Sequence, residues 1–442
     1  MGRVTSSFCD LRAWMEKTPS SAVRPVRLHS PMTSLRRLKS PAPAARPLED
    51  DNLLPEILLR LPPQPSSLPR ASLVCKRWLG LVSDTGFLCR FRSHHRRNPP
   101  LLGLFCEDVI RISFIPTLAT PNRVPSGRLS FQFDEGDQCR FMGCRHGLAL
   151  IFNATRLQVQ LWHPVTGKQL RLAVPREFGT AEGMLIQNGA VLRADGYVHT
   201  GRRSSPSPSP STLKVVLVGQ DVRYTRAFAC VYSFETRLWS NLISTPLPSR
   251  DNSMGVPNVI PGRIPCLISM DDPGVLVGNS LYWNLLGNSR AILELDLDRQ
   301  SLSVIPMPVD TYADHGASFR VMPAECGGLG LFFLSDFSAQ LWNRNTSSDG
   351  VSSWVMGRTI ELDKLLSLDS VVSLSIQGFA EDNNVVFLQT PIDLFMVQLE
   401  SLQFRKLFET RLWCIYHPFA SVYTSETGIG VGRDGAELSH KS

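Results

Sequence analysis

The feature that most limits the fold of this 442-residue chain is the pattern of its sequence beyond residue 100. Long helical periods are absent there, and short apolar or alternating runs follow one another between Gly, Pro, Asn and Asp. The clearest runs are residues 147–152, 159–162, 214–219, 226–234, 275–283, 291–297, 328–334, 385–389 and 394–399. Strands at this density, with few helices, predict a β-sandwich, a β-barrel or a β-propeller.

Turn sequences narrow this choice. Val165-Thr166-Gly167-Lys168 predicts a hairpin turn, because Gly167 is free to adopt positive φ. Residues 234–237, 297–300 and 399–401 occupy comparable positions, each after an apolar run. The first three of these turns follow one another at intervals of roughly 60–70 residues, near the repeat of a kelch-type blade with insertions. We therefore expect a β-propeller of roughly six to seven blades.

Residues 48–92 have a different, helical period. A first helix is predicted from apolar residues at helical offsets, namely Leu53, Leu54, Ile57, Leu58 and Leu61. Asp50, Asp51 or Asn52 can cap its start, Pro55 suits its first turn, and Pro62-Pro63 end it. A second helix, capped by Ser66 or Ser67, carries Leu73, Val74, Trp78, Leu81 and Val82. A third, with Asp84 as its cap, holds Phe87, Leu88 and Phe91.

Three helices in so short a segment carry more apolar side chains than the segment can bury in itself. Domains below about 40–60 residues are marginally stable alone and usually need a metal, a disulfide or a partner. We see no metal-ligand set and no paired-cysteine spacing in residues 48–92. A protein partner is therefore expected.

Residues 48–92 resemble an F-box, the module by which substrate receptors bind the Skp-type adaptor of SCF ubiquitin ligases. The shared motifs are Glu56–Pro62, Val74–Trp78, Ser83-Asp84 and Phe87-Leu88, whereas Leu48-Glu49 replaces the usual Leu-Pro. The resemblance implies the following adaptor-binding residues: Leu48, Leu53, Leu54, Ile57, Leu58, Leu61, Leu73, Val74, Cys75, Lys76 and Trp78. An ordinary helical hairpin that caps a larger domain is the alternative interpretation.

The β-rich body is similar to the C-terminal domains of the large plant, especially grass, F-box receptor family. The matching stretches come in order along the chain, at residues 161–167, 231–236, 278–283, 292–297, 354–362 and 378–382. The resemblance implies an α+β multidomain protein, with a small three-helix F-box followed by an all-β propeller-like domain. It further implies a non-catalytic substrate receptor that reaches a cullin and a RING protein through the adaptor and presents an unknown protein for ubiquitination.

We expect five segments: a basic leader (1–47), the F-box (48–92), a connector (93–110), the propeller-like domain (111–426) and a disordered tail (427–442). The leader holds nine basic and two acidic residues, which account for the whole net charge of +7. Its Ser, Pro and Arg content predicts disorder, with an organelle transit peptide or N-myristoylation as alternatives. Because the rest of the chain is neutral, we do not expect nucleic-acid binding.

The sequence offers few signs of cofactor chemistry. Ten scattered cysteines are typical of reduced thiols in a cytoplasmic or nuclear protein. Cys139, Cys144 and His146 lie close together but lack a fourth zinc ligand at a regular spacing. Motifs of phosphate-binding loops, serine hydrolases and zinc proteases are absent. No apolar run is long enough to span a membrane. We therefore expect no metal, no cofactor and no membrane association.

A second function stays open from the sequence, a β-propeller hydrolase or carbohydrate-binding protein whose helical start is incidental. Carboxylates or histidines that converge on the central channel would favour it. For a receptor, the substrate is expected on loops at one face of the body, with residues 251–265 and 310–318 as candidates. The Pro/Ser-rich segment 201–211 is expected to be an exposed loop.

Overall fold

The computed structural model describes residues 48, 50–108, 110–178, 183–193, 213–248, 265–287, 290–308, 317–325, 327–347, 349–368, 373–410 and 414–424. The predicted leader, the segment 201–211, the tail from 427, and most of the two candidate substrate loops lie outside these residues. The chain divides into residues 1–50 and a compact unit of residues 51–442. Apart from Leu48 and Asp50, every described residue belongs to the second unit.

Four helices precede the first strand in the part of the chain that the structure describes, and we call residues 51–94 the helical module. The helices are α1 (Leu53–Leu59), α2 (Ser67–Ser72), α3 (Lys76–Ser83) and α4 (Thr85–His94). The prediction of three helices is therefore wrong in number, because the predicted second helix is divided. Cys75 is extended, with φ −165° and ψ 168°. The backbone N–H groups of Leu73 and Val74 donate to carbonyls three residues back, which tightens and ends α2.

Six antiparallel sheets follow in the described residues, so the predicted propeller is confirmed with six blades. Blade 1 contains β1 (Leu101–Glu107), β2 (Arg111–Pro116) and β3 (Phe131–Gln132). Blade 2 contains β4 (Cys139–Arg145), β5 (Leu148–Asn153), β6 (Gln158–Trp162) and β7 (Gln169–Ala173). Blade 3 contains β8 (Met184–Arg193), β9 (Leu213–Asp221), β10 (Arg226–Ser233), β11 (Leu238–Trp239) and β12 (Ile243–Pro246).

The chain continues around the ring in the same way. Blade 4 contains β13 (Leu267–Ile268), β14 (Val275–Val277), β15 (Ser280–Leu286), β16 (Ala291–Asp296) and β17 (Ser301–Pro306). Blade 5 contains β18 (Ser318–Pro323), β19 (Leu329–Ser335), β20 (Ser338–Thr346) and β21 (Ser352–Glu361), followed by helix α5 (Leu362–Leu366). Blade 6 contains β22 (Ser375–Ala380), β23 (Val385–Gln389), β24 (Asp393–Gln398) and β25 (Phe404–Glu409).

The last strand, β26 (Tyr416–Ala420), closes the ring by pairing with the first. The register places Leu101 opposite Ala420 and Cys106 opposite Tyr416. The propeller thus begins at Leu101, inside the predicted connector 93–110, of which residues 93–94 end α4 and residues 101–107 form β1. The first six residues of β1, Leu101 to Cys106, are a continuous apolar run, because most of them are buried. Periodicity alone does not identify such a strand.

The predicted turns lie at equivalent places in the blades. Residues 163–168, 234–237, 297–300 and 399–403 each join the third strand of a blade to its fourth. Gly167 has φ +71°, as the hairpin prediction required. The predicted single run 275–283 is wrong, because β14 and β15 form a hairpin there with Gly278 at φ +59°. The sequence does carry a turn signal there, Gly278-Asn279, between two apolar stretches, and the prediction missed it.

The apolar core lies in layers between neighbouring blades. Six clusters of buried side chains fill the spaces between blades 1 and 2, 2 and 3, 3 and 4, 4 and 5, 5 and 6, and 6 and 1. Trp162, Trp283 and Trp342 are the largest side chains in these layers.

The two faces of the propeller carry different connections. Strand β1 starts at the face where β26 ends, so residues 98–100 and 421–424 share this face, which we call the module face. The opposite or distal face carries the turns between second and third strands, and also the connections from one blade to the next. The two candidate substrate loops come between β12 and β13 and between β17 and β18 along the chain. Exposed large apolar residues on the distal turns are Ile110, Leu157, Val222, Tyr224 and Ile392.

Candidate functional site

The helical module has an apolar core of its own. Leu54 and Leu58, one turn apart on α1, pack with Phe87 and Phe91 of α4, and all four side chains are buried. The i, i+4 spacing places each pair on one face of its helix. The same cluster includes Leu59, Leu68, Ala71, Val82 and Leu88.

Polar contacts fix the helices of the module. The predicted cap at Asp84 is confirmed, because its Oδ2 accepts the backbone N–H of Phe87 at 2.7 Å. Arg77 on α3 pairs with Asp51 at 2.6 Å, and Arg90 on α4 pairs with Glu56 on α1. These two ion pairs are largely exposed, so they orient the helices more than they stabilise them.

Several apolar side chains of the module face solvent. Leu73 is 84% exposed, Val74 60%, Leu53 46% and Leu79 44%. Leu73 and Val74 stand at the break between α2 and α3, where neither helix covers them. Large exposed apolar side chains gathered in one small module are typical of a protein-binding surface.

The eleven predicted adaptor-binding residues separate into three groups. Leu48, Leu53, Leu73, Val74, Cys75 and Lys76 are exposed, and Ile57, Leu61 and Trp78 are half-buried. Leu54 and Leu58 are buried in the core of the module and have no surface to offer a partner, so we correct their predicted role from binding to core packing. Leu79 was missed. It could have been predicted from its position four residues after Cys75, because residues at this spacing lie on the same side of a helix.

The second candidate site is the channel of the propeller. The inner strand of blade 4 is interrupted between β13 and β14. Residues 269–274, which we call the channel plug, contact the inner strands of blades 2, 3 and 5. Asn188 Nδ2 on β8 donates to the carbonyls of Ser269 and Asp272 at 2.9 and 2.8 Å. Arg145 on β4 donates to the carbonyl of Gly274 at 2.6 Å, and Arg320 on β18 pairs with Asp272 at 2.5 Å. The plug therefore lies across the channel.

Ionisable groups do converge on the channel, as the hydrolase alternative required. Burial raises the pKa of Glu381, an effect that Arg145 opposes through an ion pair of 2.5 Å. Burial lowers the pKa of His417 to about 3, so this imidazole is neutral at physiological pH. However, the carboxylates of Glu381 and Asp272 are both paired with arginines. The cavity that Glu381 and His417 line measures about 60 Å³, which holds only a few water molecules.

The structure gives no support to the cysteine and histidine group that was weighed as a zinc site. Cys144 Sγ donates to the carbonyl of Pro418 at 2.8 Å, and burial raises the pKa of this thiol. Within the described ranges, no group of three His, Cys, Asp or Glu side chains is arranged to hold a metal ion. Among the same residues, no helix has both the length and the apolar character that a membrane crossing requires.

Comparisons with known protein families match both parts of the chain. Residues 50–90 match the family described as "F-box domain". Residues 208–424 match the family described as "F-box protein AT5G49610-like, beta-propeller". A curated relative, "F-box protein At5g03970" of Arabidopsis thaliana, is 23% identical over 272 residues. The match covers 59% of this chain and 58% of the relative, so it spans less than two thirds of that protein.

Solved structures resemble the chain only distantly. A protein of unknown function from Bacteroides caccae has a TM-score of 0.38 at 8% identity, with 72% of this chain and 99% of that chain covered. Hydrazine synthase of Kuenenia stuttgartiensis has a TM-score of 0.36 at 8% identity, with 68% and 77% covered. At these scores neither protein informs the function of this one.

Proposed function

Because this chain is an F-box protein with a C-terminal β-propeller, we propose that it is the substrate-recognition subunit of an SCF-type cullin ubiquitin ligase. The helical module serves as its F-box and binds a Skp-type adaptor, through which a cullin and a RING protein are recruited. The observation that carries this proposal is the exposure of Leu73 and Val74 at the break between α2 and α3, inside the segment that matches the F-box family. Buried apolar anchors dominate the affinity of protein interfaces.

The adaptor surface that we propose differs from the one predicted by sequence alone. It consists of Leu53, Leu73, Val74 and Leu79, with Cys75 and Lys76 beside them in the chain. Ile57, Leu61 and Trp78 are half-buried and contribute the exposed parts of their side chains. Leu48, which precedes the module in the chain, is exposed and stays a candidate contact.

The propeller is proposed to bind the substrate protein without catalysing a reaction. Two observations support this role over a hydrolase or a carbohydrate-binding protein: the plug lies across the channel, and the channel carboxylates of Glu381 and Asp272 are paired with arginines. A cavity of about 60 Å³ is smaller than a sugar or a peptide residue needs, since ligand pockets usually measure several hundred Å³. We place the receptor and its substrate protein in the cytoplasm or nucleus. We propose that the receptor binds neither membranes nor nucleic acid.

We further propose that the substrate binds the distal face. The helical module precedes β1 and so occupies the module face, where Asn383 Nδ2 donates to the carbonyl of Pro99 at 3.3 Å. The distal turns carry exposed apolar side chains, including Val222 and Ile392, on a rigid sheet scaffold. Binding residues gather on such turns because they vary without disturbing the core.

The experiment is affinity purification of the tagged full-length protein from plant cells, with and without a proteasome inhibitor. We expect the adaptor, the cullin and the RING protein to co-purify, and substrates to accumulate with the inhibitor. A double substitution, Leu73→Asp with Val74→Asp, should remove the three ligase components. Equal recovery of these components with the substituted chain, or their absence from the full-length purification, would contradict the proposal.

A further inference from the structure

The core of the helical module contains one residue from the far end of the chain. Val422 follows β26, the strand that closes the propeller, and is only 6% exposed. It belongs to the apolar cluster whose other buried members, among the described residues, all lie between Leu54 and Phe91. The module therefore does not complete its core with its own residues.

Neighbours of Val422 make polar contacts with the same part of the chain. The hydroxyl of Thr424, a buried residue, accepts a hydrogen bond from Arg92 Nη1 of α4 at 3.0 Å. The backbone N–H of Ser421 donates to the carbonyl of Pro100 at 3.1 Å. At the start of α2, the N–H and Oγ of Ser66 both donate to Asn122 Oδ1, at 3.1 and 2.6 Å. Residues 421–424 and 122 thus hold the module against blade 1.

The chain path makes these contacts conditional on ring closure. Residues 421–424 extend directly from β26, whose position is set by pairing with β1 from Leu101 to Cys106. If β26 is not in place, Val422 and Thr424 have no route to α4. A helical unit of this size is marginally stable alone, so the loss of a core residue and a buried hydrogen bond affects most of its structure.

We propose that residues 421–424 complete the helical module, so that folding of the module is coupled to closure of the propeller by β26. The module is synthesised first, yet its core is completed by residues synthesised hundreds of positions later. A chain whose propeller has not closed therefore presents an incomplete module. If the module binds the adaptor, which rests on the function proposed above, only a receptor with a finished propeller is recruited into the ligase.

Hydrogen exchange of backbone amides, followed by mass spectrometry on the protein alone, tests this coupling. The full-length chain is compared with chains that end at residue 420 and at residue 424. We expect exchange in α1–α4 to be at least tenfold faster in the chain ending at 420 and unchanged in the chain ending at 424, while blades 2–5 keep their protection. Equal protection of α1–α4 in both truncated chains would overturn the proposal.

A milder variant keeps the test decisive if the chain ending at 420 also loses its propeller. Val422→Ala leaves β26 intact and removes only the contact with the module. Its matched control is Val397→Ala, a fully buried valine of blade 6. We expect Val422→Ala to speed exchange several-fold in α1–α4 only, and the control to speed it in blades 5 and 6 only. An unchanged α1–α4, or an effect spread evenly over the propeller, would contradict the coupling. Since no adaptor is present, this result is independent of whether the module binds one.

Discussion

Arg145 of β4 and Glu381, just after β22, form an ion pair of 2.5 Å that joins blades 2 and 6 across the end of the channel. The two side chains are only 11% and 23% exposed. The same guanidinium also donates to the carbonyl of Gly274 in the channel plug. One arginine therefore connects three blades.

Removal of this arginine should strongly destabilise the propeller. Arg145→Ala leaves the buried carboxylate of Glu381 without a partner, which typically costs about 3 kcal/mol in the free energy of unfolding. The measurement is urea unfolding at pH 7. The double substitution Arg145→Ala with Glu381→Gln is the control, and it should recover part of the loss because no unpaired charge remains. Equal losses in the single and double variants would contradict this account of the pair.

The pH dependence of the same variant has a defined sign. Burial raises the pKa of Glu381 above its unfolded value, so the folded state binds the proton more tightly and the carboxylate disfavours folding as the pH rises through this range. Without Arg145, the pKa of Glu381 in the folded state should be higher still. The destabilisation caused by Arg145→Ala should therefore shrink as the pH is lowered from 7 towards 4. A penalty that is constant or grows over this range in parallel urea titrations would contradict the assignment.

Much of the fold could be predicted from the sequence because it is encoded locally. The apolar period of α1, the cap at Asp84, the positive φ at Gly167 and the propeller as a whole follow from patterns within a few residues. Contacts between distant residues could not be predicted. Ser66 was expected to cap a helix, but its hydroxyl instead donates to Asn122, 56 residues away.

In the candidate site, too, local patterns could be predicted from the sequence and contacts between distant residues could not. Periodicity identifies an apolar face on α1 but not what covers it. The resemblance to an F-box implied that Leu54 and Leu58 bind the adaptor, whereas both pack with Phe87 and Phe91 of α4. The break at Cys75 depends on how α2 and α3 pack, and it leaves Leu73 and Val74 exposed. Neither Val422 in the module nor the plug across the channel has a local sequence signal, because both depend on how the ring closes.

Loss of the cap at Asp84 should weaken the helical module. Asp84→Ala removes the acceptor for the N–H of Phe87, and such losses cost about 1 kcal/mol of stability. Hydrogen exchange in α4 should accelerate about fivefold, because about 1 kcal/mol corresponds to a roughly fivefold change in the opening equilibrium of the helix. Asp84→Asn is the matched control, since asparagine caps a helix nearly as well as aspartate. Equal acceleration in both variants would show that the cap is not the cause.

The distal face should determine which proteins are captured. Val222→Arg with Ile392→Arg places two charges on distal turns and should reduce substrate recovery severalfold, because charges disrupt an apolar contact, while adaptor recovery stays unchanged. Leu238→Arg is the control, since Leu238 is also exposed but lies on the outer strand β11. Quantitative mass spectrometry of captured proteins measures the effect. A substrate set identical to that of the unmodified protein would exclude these turns from recognition.

The most direct test of the central claim is a binding titration between the purified full-length protein and a purified Skp-type adaptor. We expect Leu73→Asp to raise the Kd at least 30-fold, because a buried interface anchor contributes about 2 kcal/mol or more to the free energy of binding. Leu238→Asp, which changes a leucine that is also exposed but lies on the propeller, should leave the Kd unchanged. No binding by the unmodified protein, or the same Kd for Leu73→Asp and the unmodified protein, would contradict the account.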